Sequence, residues 1–314
     1  MDPLFLKPIF KERIWGGVAL QEQFGYDIPA GDIGECWAIS AHPNGASIVN
    51  NGIYAGKALD ILWKEHPELF GSANQDVFPL LTKILDANMD LSVQVHPDDK
   101  YAKEYENGEL GKTECWYIID CKEDADMIFG HTAKSQDELR EQIEQGKWHH
   151  LLQRVKIKPG DFFYVPSGTI HALCEGTLVL ETQQSSDTTY RVYDYDRQDD
   201  DGKLRELHLE KAIEVTTVPH VRERVTPLRY EENGAQITTF IQSSFFSVYK
   251  WEVDKKASFT ITDNYMLCSV VKGAGVLICN GESYLLTKGA HFILPVGFGH
   301  FQIEGQVELI ISHP

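Results

Sequence analysis

The chain has 314 residues, 42% of them hydrophobic, with 29 Lys and Arg against 47 Asp and Glu for a formal net charge of −18. That length holds two ordinary domains or one large β domain, with apolar residues enough for a sizeable core. The negative surplus speaks against nucleic acid and anionic membrane as partners, and any anionic ligand must meet a local basic cluster set against the overall field.

In chain order, the opening MDPLFLKPIFKERIWGG lacks the basic-then-apolar pattern of a secretory leader, and no stretch approaches the roughly twenty apolar residues of a membrane helix. A soluble cytoplasmic protein is expected. Trp15 with Gly16 and Gly17 suits either stacking on a sugar or packing a barrel mouth. Strands are expected at ECWAIS and GASIVNNG, then a helix at Leu59–Phe70 with apolar positions 59, 62, 63 and 69, interrupted by Pro67. In DLSVQVH, Leu91, Val93 and Val95 form an apolar face, and Ser92, Gln94 and His96 a polar one. CWYIID follows as a strand. Ser135 to Val155 reads as helical: Ser135 and Glu138 make a capping box, Leu139, Ile143, Trp148, Leu151 and Leu152 recur, and Gly146 splits the segment in two. His149 and His150 are expected on its surface. After DFFYVP, GTLVLET and YRVYDYD, Asp199–Asp201 reads as a solvated turn and Leu207–Thr216 as a third helix. Residues 222–229 are polar and read as a linker. Strands then continue through FFSVYKWEV, CSVVKG, GVLICNG, ESYLL, HFILPVG and VELIISH. Short strands at turn-separated intervals predict a mainly β protein, a sandwich or barrel with a few short helices. The six cysteines show no C-x-x-C spacing and are expected to be reduced thiols, many of them buried.

The segment KPGDFFYVPSGTIHAL aligns with TKGAHFILPVGFGHFQ: Gly160, Pro166, Gly168 and His171 recur as Gly289, Pro295, Gly297 and His300 at one offset. A strand entering a Pro-x-Gly turn and then a histidine is thus used twice, which indicates a duplicated β domain. Only the first copy is preceded by Gln94-x-His96 and Lys112-x-Glu114. Taken singly, His96 reads as a strand-end residue, Glu114 as a surface carboxylate and Lys83 as a side chain packed on the core with its head in solvent. Arg191 reads as an ion-pair partner of Asp194 or Asp196. Taken jointly, two imidazoles and a carboxylate, with Gln94 as a weaker oxygen ligand, suit a catalytic zinc site that keeps a position open for water or substrate.

The pattern G-x5-P-x-G-x2-H is the second motif of the cupin β-barrels. With KERIWGG (11–17), GECWAIS (34–40), QVHPD, KTE and SDTTYR, nearly the whole chain resembles the type I phosphomannose isomerases. The resemblance implies two cupin-type jelly-roll barrels, a catalytic metal-binding domain at 1–221 and a degenerate, metal-free one at 222–314. It implies one Zn2+ per chain and interconversion of mannose 6-phosphate and fructose 6-phosphate. Gln94, His96, Glu114 and His171 match that family's metal ligands, Arg191 its active-site arginine, and Lys83, Lys112 and Asp187 its substrate pocket. The chain lacks the large helical insertion of longer members, and a monomer or weak homo-oligomer is expected.

The isomerase chemistry needs cations for a phosphate, among which Arg13 is a further candidate, and an unligated base: Asp187, or Lys112 if its pKa is depressed. Two other functions fit the ligand types, a cupin dioxygenase with a redox-active metal and a non-catalytic phosphosugar-binding protein.

Overall fold

The computed structural model describes residues 1–71, 76–198 and 202–314. Asp199–Asp201, read above as a solvated turn, lie outside the described residues.

Side-chain alternation sorts the first half of the chain into layers. A six-stranded antiparallel sheet runs in the order Phe162–Val165, Glu114–Cys121, Thr177–Gln184, Leu80–Ala87, Ile33–Ile39, Ile9–Gly17. A five-stranded sheet runs Leu152–Lys156, Asp126–His131, His171–Leu173, Val93–Val95, Tyr190–Tyr193. The two pack face to face through one core in which Leu85, Trp116, Phe163 and Val179 of the first meet Met127, Phe129 and Leu173 of the second. The ladders form two sheets rather than one closed ring, the arrangement of a jelly roll.

Each sheet is also covered on its outer face. Val93, Val95, Ala172 and Val192 lie under the helices Gln136–Glu144 and Leu209–Val215 through Leu139, Ile143 and Ile213. Cys36, Ile84, Cys115 and Leu180 pack against Phe246, Val248 and Ile310 of the C-terminal sheet. Leu80–Ala87 and Thr177–Gln184 are therefore buried at every residue. Such strands ordinarily read as continuous apolar runs. These two instead place Lys83, Glu181 and Gln183 on the inward face, where charge is retained only if it is paired.

The helical expectations hold in part. Leu59–Glu65 is α-helical, and a 3-10 turn, Pro67–Phe70, follows the break at the proline. Ser135 Oγ accepts from the Glu138 backbone N–H at 3.2 Å, but Glu138 reaches back to the Lys134 N–H rather than to that of Ser135. Two helices, Gln136–Glu144 and Trp148–Leu151, flank Gly146, with His149 and His150 exposed. Residues 152–155, expected to be helical, instead belong to the strand Leu152–Lys156, because their backbone finds a partner in Asp126–His131. The helices Ala19–Phe24 and Asp99–Tyr105 were not expected; the second is capped by Asp98, which accepts from the Tyr101 N–H at 2.8 Å. All six cysteines are free and five are buried.

The C-terminal ten-stranded sheet begins at Leu228–Glu232, so the irregular linker ends at 227. It also recruits the N-terminal strand Leu4–Lys7, which pairs with His291–Leu294. Both copies of the repeat keep a left-handed glycine ahead of the strand and another in the turn: Gly160 and Gly168, Gly289 and Gly297. The first copy buries His171, whereas the second leaves His300 exposed.

At the junction of the two halves, Tyr26 Oη donates to the Gly289 carbonyl at 2.8 Å and lies 2.7 Å from His291 Nε2, while His291 Nδ1 meets Ser269 Oγ at 2.9 Å. Burial lowers the His291 pKa to about 3. An unfolded chain protonates this histidine near pH 6.5, so the unfolded state binds the extra proton first as pH falls. The stability it contributes is complete above about pH 6.5 and is lost progressively toward about pH 3. Urea midpoints measured from pH 7 to pH 5 should fall in the native chain and fall less steeply in His291→Gln.

Candidate metal centre and active site

Four strands and one turn converge on the inward faces of the two sheets. Gln94 is the register partner of both His171 and Arg191, so these three side chains lie abreast on neighbouring strands. His96 follows two residues after Gln94 on the same face, just past the strand end. Glu114 opens the facing sheet's strand Glu114–Cys121 and pairs in register with Gln183.

Two glycines allow the close approaches that set this spacing. Gly168 adopts a left-handed φ of +81° in the Pro166–Gly168 turn. Its N–H donates to the His96 carbonyl at 2.8 Å, its carbonyl accepts from the Thr217 N–H at 2.9 Å, and a Cβ there would lie 2.5 Å from Thr217 Oγ1. The turn thus ties both histidines to the exit of the helix Leu209–Val215. Gly111 lies so close to the start of the helix Asp99–Tyr105 that a Cβ would sit 2.4 Å from the Asp99 nitrogen. Its N–H donates to Asp99 Oδ1 at 2.8 Å, and Lys112 N–H to the Pro97 carbonyl at 3.0 Å, which brings Lys112 and Glu114 under the metal-binding strand.

His96, Glu114 and His171 offer ligand atoms that all lie within 4.8 Å of one another, the one such His, Cys, Asp or Glu group among the described residues. His171 Nε2 is 3.2 Å from Glu114 Oε1, and His96 Nε2 is 3.5 Å from Glu114 Oε2. All three residues are essentially inaccessible to solvent. His171 Nδ1 faces the Thr169 carbonyl at 2.8 Å; a carbonyl only accepts, so the proton sits on Nδ1 and Nε2 presents its lone pair. His171 Nε2, His96 Nε2 and both Glu114 oxygens have no hydrogen-bond partner in the protein. Buried polar atoms left in this state ask for a ligand. Burial, reinforced by the Lys112 charge, holds the His96 pKa well below its usual value. Burial likewise lowers His171, against the opposing pull of Glu114. Both imidazoles are therefore neutral, the form that binds metal. Two neutral imidazoles and a carboxylate with orphaned donor atoms fit a divalent metal ion.

Beside this triad opens a cleft of about 330 Å³, lined by Gln94 and by five cations, Arg13, Lys83, Lys112, Arg191 and Arg205. Trp15 packs in the core, as the second of its two readings expects, and also lines the cleft. Lys83 is 3% exposed, with Nζ 3.5 Å from Glu181 and 5.0 Å from the Trp37 ring centre; its head does not reach solvent as expected of an ordinary core-edge lysine. Arg13 pairs with Glu35 at 2.8 Å. Burial alone would raise the Glu35 pKa, but Lys83, Arg13 and the Trp37 indole N–H bring it to about 2. Lys112 lies 3.5 Å from Glu114. Burial opposes its charge, but Glu114, Glu181, Asp187 and Glu35 outweigh burial and raise its pKa, which favours the cationic form of Lys112.

Arg191 does not pair with Asp194 or Asp196. It donates to Ser92 Oγ at 3.3 Å and the Glu206 carbonyl at 2.8 Å, and among the described residues it is the one cleft cation in no ion pair. Burial and then the Arg205 charge lower its pKa, as expected of a cation without an anionic partner. Asp187 accepts from Asn44 Nδ2 at 2.9 Å at the cleft wall.

Sequence reading missed Ser92, Glu181 and Arg205 as cleft residues. Glu181 carried a usable signal, a lone charge inside the apolar run LVLET that must face Lys83 across the ladder.

Residues 4–126 match the model of the phosphomannose isomerase type I catalytic domain, and 236–314 that of the mannose-6-phosphate isomerase cupin domain. The chain is 61% identical over 312 residues to the probable mannose-6-phosphate isomerase GmuF of Bacillus subtilis, covering 99% of both chains. It belongs to the type I phosphomannose isomerases. A Streptococcus mutans mannose-6-phosphate isomerase is 54% identical, over 99% of this chain and 98% of the relative. The crystal structure of the mannose 6-phosphate isomerase from Bacillus subtilis superposes with a TM-score of 0.98 at 56% identity, with full coverage of both chains. No helix among the described residues is long and apolar enough to cross a membrane.

Removing one ligand atom from a three-residue centre should release the metal while leaving the fold. His171→Ala and Glu114→Gln proteins, purified with metal present and analysed by elemental mass spectrometry, should hold well under half the metal of the native chain.

Proposed function

We propose that the chain interconverts mannose 6-phosphate and fructose 6-phosphate with one zinc ion held by His96, Glu114, His171 and, as a weaker oxygen ligand, Gln94. The orphaned, buried donor atoms of the triad beside a cation-lined cleft carry this reading. Zinc there would supply a Lewis acid for the sugar carbonyl without redox chemistry.

The rest of the work falls to side chains. An aldose–ketose isomerisation moves a proton between C1 and C2 and passes through a species with negative charge on oxygen. Arg191, free of carboxylate partners, is the seat for the 6-phosphate, since a guanidinium forks onto phosphate oxygens. Lys112 and Lys83 are buried cations directed to the same space, suited to sugar hydroxyls and to the developing charge. Asp187 is the proposed base. Glu35 is held ionised at low pKa by Lys83 and Arg13, and Glu181 already places one oxygen 2.9 Å from the Trp116 indole N–H and the other against Lys83. Asp187 engages one oxygen with Asn44 and presents the other.

The same reading divides the chain into a catalytic unit at 1–221 and a metal-free cupin unit at 222–314. The close juxtaposition of fixed cations favours a phosphosugar over an oxygen-activating dioxygenase site. We place the enzyme in the cytoplasm, where phosphosugars are kept.

Conversion of mannose 6-phosphate to fructose 6-phosphate should be lost with chelator and return with added zinc. Iron-loaded protein that consumes oxygen instead would overturn the reading, and phosphosugar binding without turnover in zinc-replete protein would reduce it to a binding protein. Asp187→Asn should lower kcat at least about a hundredfold, the low end for a positioned general base, with KM little changed; retention of near-native kcat would remove Asp187 from the role.

A further inference from the structure

One buried carboxylate near the cleft is used by neither the metal centre nor the proposed proton transfer. Asp194 is 4% exposed and lies just past the strand Tyr190–Tyr193 that carries Arg191. It collects two guanidinium groups. Arg205 Nε donates to Oδ2 at 2.7 Å and Arg205 Nη2 to Oδ1, a bidentate fork. Arg197 Nη2 donates to the same Oδ1 at 2.5 Å, and its Nη1 to the Asp90 carbonyl at 2.5 Å. The chain reverses between Asp194 and Arg197 with Tyr195 and Asp196 both left-handed, at φ +57° and +54°, and Arg197 N–H closes onto the Asp194 carbonyl at 3.1 Å. A non-glycine pair in this region persists only where its surroundings hold it.

Arg205 and Arg191 line the same cleft wall. With Nε and Nη2 committed to Asp194, Arg205 keeps Nη1, which carries none of these bonds. Arg191 and Arg205 thus bring two guanidinium groups to the cleft lining, while Asp194 stays outside it.

We propose that Asp194 is a positioning residue for the substrate's phosphate: it locks Arg205 beside Arg191, so that two guanidinium groups form a preset seat. The seat rests on the phosphosugar reading above. Both arginines lie in place before substrate arrives, so little side-chain freedom is lost on binding. A lysine at 205 could not make the fork with Asp194 and face the phosphate together.

The test uses full-length, zinc-reconstituted enzyme, with mannose 6-phosphate as substrate and inorganic phosphate as competing ligand. Asp194→Asn should raise KM, and weaken inhibition by inorganic phosphate, about tenfold or more, as expected for loss of a charge-assisted contact. Its kcat and zinc content should change little. Arg205→Gln should give the same pattern, the double variant should be no worse than Arg205→Gln alone, and Asp194→Glu should recover part of the phosphate affinity. Native KM and native phosphate inhibition in Asp194→Asn, or losses that multiply in the double variant, overturn the proposal. If Asp194→Asn fails to fold by thermal melting, Arg205→Gln decides, and unchanged phosphate inhibition there overturns it. An inactive wild type would sink the isomerase reading separately, and calorimetric phosphate binding to the same variants would then decide the seat.

Discussion

The structure is organised around the cost of burying Glu114. A carboxylate without solvent is destabilising by several kcal/mol unless its charge is met. Here it faces two neutral imidazoles and the Lys112 ammonium 3.5 Å away, with no hydrogen bond of its own. Everything nearby serves to hold that arrangement: Lys112 fixed by a tight loop, His171 fixed in one tautomer by Thr169, and His96 tied to the Gly168 turn. A divalent ion satisfies this group of atoms more fully than the protein does alone, so metal binding and local stability are coupled.

A second constraint follows from covering both faces of both sheets. Helices over one sheet and the C-terminal domain over the other exclude solvent from the strands between. Charges on the inward faces must then pair with one another, and they do, in the couples Arg13–Glu35 and Lys83–Glu181. Arg191 is the exception among the described residues, which is the basis for proposing it as the anion seat. The C-terminal sheet thereby backs the site physically, as the wall behind the strands that carry Lys83, Glu114 and Glu181.

Much of this was legible in the sequence because strand alternation is local. Gln94-x-His96, Lys112-x-Glu114 and the Pro-x-Gly turn before His171 each carry their own geometry, and the structure brings all of them together. The repeat was legible from its recurring Gly, Pro and His positions, and the structure adds that its glycines are left-handed. What stayed hidden depends on pairing between distant segments. Residues 152–155 have helical periodicity, yet an open sheet edge claims them. Leu4–Lys7 crosses to the C-terminal sheet, which no local pattern announces. Lys83 looked like a residue with its head in water because Glu181 and Trp37 reach it only through the ladder. Arg205 lies 14 positions from Arg191 in sequence and joins it in the cleft lining only once the chain is folded.

The Gly168 turn has a consequence for how the protein can vary. One residue, Gly168, donates through its N–H to the His96 carbonyl and accepts through its carbonyl from the Thr217 N–H, just past the Leu209–Val215 helix. The distance between the two imidazoles is therefore set partly by a helix that touches neither of them. Substitutions on that helix's buried face, far from any substrate, are positioned to tune which ion the centre prefers, giving lineages a route to metal selectivity that leaves every ligand intact.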